Sequence, residues 1–329
     1  MNILVVGGAG YIGSHMVKLL LEKGHDVTTI DNLSTGHRWA VLGGDFRFGD
    51  ISDRFLLDSL FQSTRFDGVM HFASFIQVGE SVSDPAKYYA NNLVNTLKLL
   101  DAMIAHQVTN FVFSSTAAIF GEPRYVPIDE AHEKHPLNPY GASKWMVEQV
   151  LGHYERAYGL RSIALRYFNA SGAAPDASIG ETHKPESHLI PLVLQVASGR
   201  ERSVKVFGQD YDTPDGTCIR DYIHICDLCD AHLTAIEQLV NGRTSGAYNL
   251  GNGNGFSVRE VIDTTRRLTG CEIPVDCASR REGDAARLVA DATRAHTELN
   301  WRPRYAALEI IIEHAWAWEL RLAHAAVKT

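Results

Sequence analysis

Basic residues are in deficit, with 31 Lys and Arg against 39 Asp and Glu and a formal charge of −8. A general nucleic-acid binder needs a basic stripe to neutralise phosphates, so that class is excluded. The five cysteines, Cys218, Cys226, Cys229, Cys271 and Cys277, are too few and too late in the chain for a disulfide framework. Reduced thiols and a cytoplasmic location are expected. No stretch reaches the ~18 consecutive apolar residues of a membrane span, and no basic segment precedes the apolar start Ile3 to Val6. Neither a span nor a signal peptide is expected. Internal repeats are missing too, which excludes solenoids.

At ~150 residues per domain, 329 residues correspond to about two domains. Apolar residues make up 45% and charged ones 21%, a mix that builds a packed core. Short apolar runs alternate with helical patterns, the order of βαβ units. Strands are expected at Ile3 to Val6, Val27 to Ile30, Val69 to Phe72, Asn110 to Ser114 and Ser162 to Phe168. Several are apolar throughout, which places them inside a sheet covered on both faces. Helices are expected over Ile12 to Lys23, Pro85 to His106 and Pro139 to Tyr158. After Asn169 the texture turns to Ser, Gly, Ala and Pro, marking a second domain. Asp221 to Ile225 and a helix from Asp227 to Val240 are read as returning to the first sheet. The expected division is therefore 1–169, rejoined by about 218–250, and a smaller mixed α/β domain over 170–329.

The first strand runs into Gly7-Gly8-Ala9-Gly10-Tyr11-Ile12-Gly13, with glycines three apart at 7, 10 and 13. Such a turn lets backbone N–H groups approach a pyrophosphate at a helix N-terminus. Asp31 closes the second strand, where a carboxylate takes both hydroxyls of an adenosine ribose and repels a 2′-phosphate. These features predict a doubly wound parallel sheet of Rossmann type that binds NAD rather than NADP. His37 and Arg38 lie nearby and are read as solvated loop residues.

Tyr140 and Lys144 stand four apart, hence on one helix face, and they are the only Tyr and Lys so spaced. A phenol of pKa ~10 is a poor base unless cations stabilise its phenolate. Lys144 and an oxidised nicotinamide would supply them. A hydroxyl is wanted beside the phenol, and Ser114, Ser115 and Thr116 offer three at a strand end. We favour Thr116 for the substrate proton and Ser114 for the cofactor side.

These segments, with Val78-Gly79-Glu80-Ser81, Tyr88-Tyr89, Asn91-Asn92, Arg166 to Asn169, Arg220 to His224, Tyr248 to Gly251 and Arg280 to Asp284, resemble the extended short-chain dehydrogenase/reductase family in its UDP-glucose 4-epimerase branch. The resemblance runs almost the whole chain. It implies interconversion of UDP-glucose and UDP-galactose, as in galactose metabolism, by transient oxidation at sugar carbon 4. It also implies a homodimer paired through 85–106 and 139–158. Position by position, it places Gly7, Gly10, Tyr11, Ile12, Gly13, Asp31, Asn32, Asp50, Ile51, Phe72, Ala73, Asn91, Ser114, Tyr140, Lys144 and Phe168 around NAD. Thr116, Tyr140, Asn169, His188, Leu189, Phe207, Arg220, Arg281, Asp284 and Leu288 would hold the nucleotide sugar. Two guanidiniums suit a diphosphate, and Phe207 offers uracil a ring face. The chain departs from commoner patterns at Thr116, Ile76, His188 and Phe120, where other members carry Ser, Lys, Asn and Tyr.

A 4,6-dehydratase of the same fold needs an Asp-Glu pair after the threonine, and Ala117 and Ala118 stand there instead. A non-catalytic NAD-binding protein is disfavoured by the intact Thr116, Tyr140 and Lys144. Cys226 and Cys229 lack a second pair for zinc and read as small buried residues. The 15 histidines show no ligand cluster, so no metal is expected.

Overall fold

The computed structural model describes residues 1–281 and 284–326. Chain order begins β1 (Asn2–Val6), α1 (Tyr11–Glu22), β2 (Asp26–Asp31), β3 (Asp45–Phe48), α2 (Arg54–Ser63) and β4 (Gly68–His71). It continues through α3 (Val78–Ser83), α4 (Pro85–Tyr88), α5 (Thr96–Ala105), β5 (Asn110–Thr116), α6 (Pro139–Tyr158) and β6 (Arg161–Tyr167). The second half holds β7 (Asn169–Ser171), α7 (Leu189–Ala197), β8 (Val204–Phe207), β9 (Ile219–Arg220), β10 (Tyr222–His224), α8 (Ile225–Val240) and β11 (Gly246–Leu250). Last come β12 (Phe256–Ser257), α9 (Val258–Thr269), β13 (Val275–Ala278), β14 (Arg287–Leu288), α10 (Thr293–Glu298) and α11 (Leu308–Ala326).

Seven strands form one sheet in the order β11-β6-β5-β4-β1-β2-β3, every pairing parallel. Period-two alternation sends Ile3 and Val5 to one face with Met16, Leu20, Leu228 and Ile236 of α1 and α8. Leu4 and Val6 go to the other, with Leu57, Leu99, Met103 and Val147 of α2, α5 and α6. Burial on both faces is why these strands are apolar throughout. Strand order reverses between β1 and β4, and the crevice beyond their carboxyl ends is where such sheets bind ligands. A second core of Ile190, Leu194, Val261, Leu308, Ile311 and Ile312 joins α7, α9 and α11.

The expected elements reappear with small shifts at their ends, and α6 spans Pro139–Tyr158 as read. Its start is set by Asn138, whose side chain accepts from the Gly141 N–H, and by Pro139, and its stop by Gly159 in the left-handed region. Other readings change. Pro85–His106 is not one helix, because α4 and α5 are separated by a π-helical stretch at Tyr89–Asn95. There Asn92 ties its amide to both the N–H and the carbonyl of Phe75, 2.9 and 3.0 Å away. The strand at Tyr222–His224 pairs with β7 instead of entering the first sheet, and β11 is the strand that joins it. The cause is Asp221, whose buried carboxylate accepts from the N–H groups of Asn252, Gly253 and Ala290 and knots this segment locally. β3 carries no apolar run in the sequence because it is a half-exposed edge strand. Among the described residues no helix is long and apolar enough to cross a membrane.

Candidate active site

Two of the three motif glycines are demanded by the chain's own packing. A Cβ on Gly7, whose φ is +81°, would lie 2.4 Å from the Ala73 nitrogen, and one on Gly13 would lie 2.1 Å from the Gly7 oxygen. Gly10 differs, since a Cβ there would meet nothing nearer than 3.5 Å. Packing therefore does not demand glycine at 10, and the backbone there is left open to a group from outside the protein. Gly10 is also the N-cap of α1 and offers no side chain to the first-turn N–H groups. Those donors, carried by Tyr11, Ile12 and Gly13, remain for an anion.

At the end of β2, Asp31 accepts from the N–H groups of Ala9 and Leu33, at 2.9 and 2.7 Å. Burial pushes its carboxyl up, against those two donors. Asn32 donates to Asp50, 2.6 Å away, so the β2 and β3 ends are joined by side chains, and Ile51 is buried beside them. Phe72 and Ala73 follow β4 and donate their N–H groups to the Val6 carbonyl. His37, expected to be solvated, is instead half-buried, bonded to the Thr182 carbonyl and stacked on Trp39 at 5.2 Å. Arg38 folds over the Phe46 ring at 4.4 Å.

Tyr140 and Lys144 lie on the buried face of α6. Lys144 Nζ donates to the Ser114 carbonyl at 2.8 Å and sits 4.8 Å from the centre of the Phe113 ring. Burial pushes this ammonium down to about 7. Burial also pushes the Tyr140 phenol up, and the neighbouring Thr116 hydroxyl, which accepts from the Ala118 N–H at 3.1 Å, works against that. The other two hydroxyls have different partners. Ser114 Oγ lies 2.8 Å from His232 Nε2, and His232 Nδ1 lies 2.8 Å from the Leu228 carbonyl. Burial pulls His232 down to about 4, so the ring is neutral, Nδ1 donates to the carbonyl, and Nε2 accepts from Ser114. Ser115 faces away and donates to Glu148, which also holds Arg166. His232, Glu148 and Arg166 were not read as site residues, and lone polar residues in apolar elements carry no local signal of such partners. Asn91 lies on the π-helical stretch and donates to Asn92 at 2.9 Å. Phe168 packs against the buried cluster of Ile119, Phe120 and Ile128.

On the substrate side, β9 and β14 set Arg220 level with Leu288. The Arg220 guanidinium donates to Asp284 at 2.8 Å and to the Ala285 carbonyl at 2.8 Å. Asn169 donates to the Asp221 carbonyl, next to Arg220 in sequence. Phe207 does not present a bare ring, because the Arg281 guanidinium lies 3.9 Å from its centre. Leu189 packs into the core between α7, α9 and α11. His188 turns its Nδ1 to Glu181. The expectation of no histidine cluster is thereby corrected, since Glu181, His183, Glu186 and His188 converge. Glu282 and Gly283 of the last motif segment lie outside the described residues.

Residues 3–251 match the NAD dependent epimerase/dehydratase family. This chain belongs to that family. It is 52% identical over 324 residues, 98% of its length and 97% of the relative's, to the UDP-glucose 4-epimerase of Halalkalibacterium halodurans. The crystal structure of UDP-glucose 4-epimerase from Brucella ovis in complex with NAD superposes with a TM-score of 0.94 at 49% identity, covering 96% of this chain and 97% of that one. The UDP-Glc/GlcNAc 4-epimerase of Campylobacter jejuni superposes at 0.85 with 40% identity, covering 97% and 99%. The family's cofactor fits the residues present: an open cradle at Gly10, an uncapped helix start and a carboxylate at the end of β2.

Among three neighbouring hydroxyls, Thr116 is the one taken by neither His232 nor Glu148, so Thr116→Val is expected to lower turnover by about 10²-fold, the low end of acid–base contributions. Ser115→Ala is expected to act through stability instead. Steady-state rates beside urea midpoints check this, and a larger kcat loss in Ser115→Ala would reassign the role.

Proposed function

We propose that this protein interconverts UDP-glucose and UDP-galactose by inverting carbon 4 of the sugar. What supports the reading most is the closeness of Thr116, Tyr140 and Lys144 at the carboxyl end of β5, in a chain matched end to end by UDP-glucose 4-epimerases. NAD, held by the turn at Gly7 to Gly13 with Asp31 and Lys144, would supply the redox chemistry at carbon 4. Tyr140 takes the proton of the 4-hydroxyl and Thr116 relays it. Lys144 stabilises the phenolate, and Ser114 orders the cofactor side. Asn169, Phe207, Arg220, Arg281 and Asp284 hold the nucleotide sugar, the two guanidiniums at its diphosphate, while the sugar presents its other face to the same phenol. Orientation and proton transfer are the protein's share of the catalysis. Residues 1–169 with 218–250 serve the cofactor in this reading, and 170–329 the nucleotide sugar. Incubating purified protein with UDP-galactose and no added cofactor is expected to yield UDP-glucose. Unchanged UDP-galactose, with the fold intact and NAD supplied, would overturn the reading.

A homodimer through 85–106 and 139–158 is part of the proposal, supported by exposed Val94 and Met146 on those segments. A cytoplasmic location is supported by five free cysteines. Breadth of substrate rests on Leu288, which packs against the cluster around Phe168 and Ile119. A tyrosine ring there takes the space an N-acetyl group on carbon 2 enters. Leu288→Tyr is expected to suppress epimerisation of UDP-N-acetylglucosamine while sparing UDP-glucose. Comparing both substrates on one variant cancels any overpacking cost of about 1–3 kcal/mol. An unchanged ratio would show that Leu288 is not the gate.

A further inference from the structure

We infer that Glu181, His183, Glu186 and His188 form a binding site for one divalent transition-metal ion, zinc first among them. No step of the reaction enters here, but the metal takes His188, a residue that the resemblance places at the nucleotide sugar. Nδ1 of His183 lies 2.9 Å from Glu181 Oε1 and 3.9 Å from Glu186 Oε1. Nδ1 of His188 contacts the same Glu181 oxygen and lies 3.9 Å from the same Glu186 oxygen. All four donor atoms fall within 4.8 Å of one another. Four ligands at the zinc distance of about 2.0–2.2 Å stand about 3.3–3.6 Å apart when tetrahedral. The observed spacings bracket that range.

Burial and charge point the same way. The Glu181 and Glu186 side chains are 4% and 6% exposed and those of His183 and His188 22% and 42%, so two buried carboxylates meet at a site open on its imidazole side. A divalent cation with two neutral imidazoles neutralises them and uses every donor. The donors are also held before any ion arrives. Glu186 Oε1 accepts from the N–H groups of Ser187 and His188, at 2.7 and 2.9 Å. The Glu181 carbonyl accepts from Trp318 of α11 at 2.9 Å, and the Thr182 carbonyl is bonded to His37. Carboxylate ligands oriented by further hydrogen bonds are the usual arrangement in metal sites.

The site stands between Tyr11 at the start of α1, whose ring lies 6.2 Å from that of His183, and Leu189 at the start of α7. An ion there clamps α7 against the glycine-rich turn. The rival state without metal is a cluster of imidazolium–carboxylate ion pairs, and the experiment separates the two.

Purified full-length protein is treated with a chelator, dialysed against zinc sulfate, desalted, and assayed for zinc by atomic emission. One zinc per chain is expected. His183→Ala and Glu186→Gln are each expected to weaken zinc binding at least 10-fold in competition with a chromophoric chelator, the usual scale for a lost ligand or its support. Zinc is expected to raise the melting temperature of the unsubstituted protein and not that of His183→Ala. A Cys226→Ser/Cys229→Ser variant is expected to keep its zinc. Folded unsubstituted protein that retains no zinc would overturn the site whatever the variants do. So would equal retention in His183→Ala and Glu186→Gln, or loss of zinc in the cysteine variant.

Discussion

Tyr140→Phe is expected to lower turnover by about 10² or more, the scale on which a general base contributes, with UDP-sugar binding nearly unchanged. The ring is buried on α6, and phenylalanine keeps its packing while deleting the phenol oxygen. The loss therefore falls on kcat, because the group acts on a proton in flight and not on the nucleotide. Lys144 stays in place in the variant, held by the Ser114 carbonyl, so the charge of the site is preserved. Steady-state kinetics with circular dichroism on the same preparation check the outcome. Turnover within a few-fold of the unsubstituted protein would remove Tyr140 from the role of base, and a loss confined to KM would make it a binding group.

Arg166→Met is expected to cost about 3–5 kcal/mol of stability, the range for breaking a buried ion pair from one side. Arg166 and Glu148 are 6% and 5% exposed, and the guanidinium reaches both carboxylate oxygens, at 3.1 and 2.6 Å. Removing the arginine leaves the Glu148 charge buried, with Ser115 as its remaining hydrogen-bond donor among the described residues. Removing both charges relieves that penalty, so Arg166→Met/Glu148→Leu is expected to recover most of the loss. Because the pair ties β6 to α6 across the end of β5, loosening it also shifts Tyr140 and Lys144 against Thr116, and activity falls with stability. Urea unfolding of the two variants beside the unsubstituted protein measures this. A cost under about 1 kcal/mol, the scale of a solvent-exposed pair, would show that the charges are solvated after all.

The sequence by itself determined what is local. Apolar runs without alternation announced strands buried on both faces, and spacing of four placed Tyr140 and Lys144 on one helix face. The glycines at 7, 10 and 13 marked the turn after the first strand, and Asp31 the end of the second. Each of these is a short-range consequence of side-chain periodicity or backbone sterics. The tertiary structure alone decided which groups meet across long separations. Ser115 was set apart from its neighbours by the alternation of β5, but Ser114 and Thr116 share a face, and only His232, 118 residues on, distinguishes them by taking the first. β10 found β7 and not the large sheet because Asp221 gathers N–H groups from residues 252, 253 and 290. The cluster of Glu181, His183, Glu186 and His188 is close in sequence, yet its spacing follows neither a helix nor a strand period, so nothing local says that the four side chains face one another. Facing is set by dihedral periodicity within an element, whereas partnership is settled by how elements dock, and docking depends on the whole core.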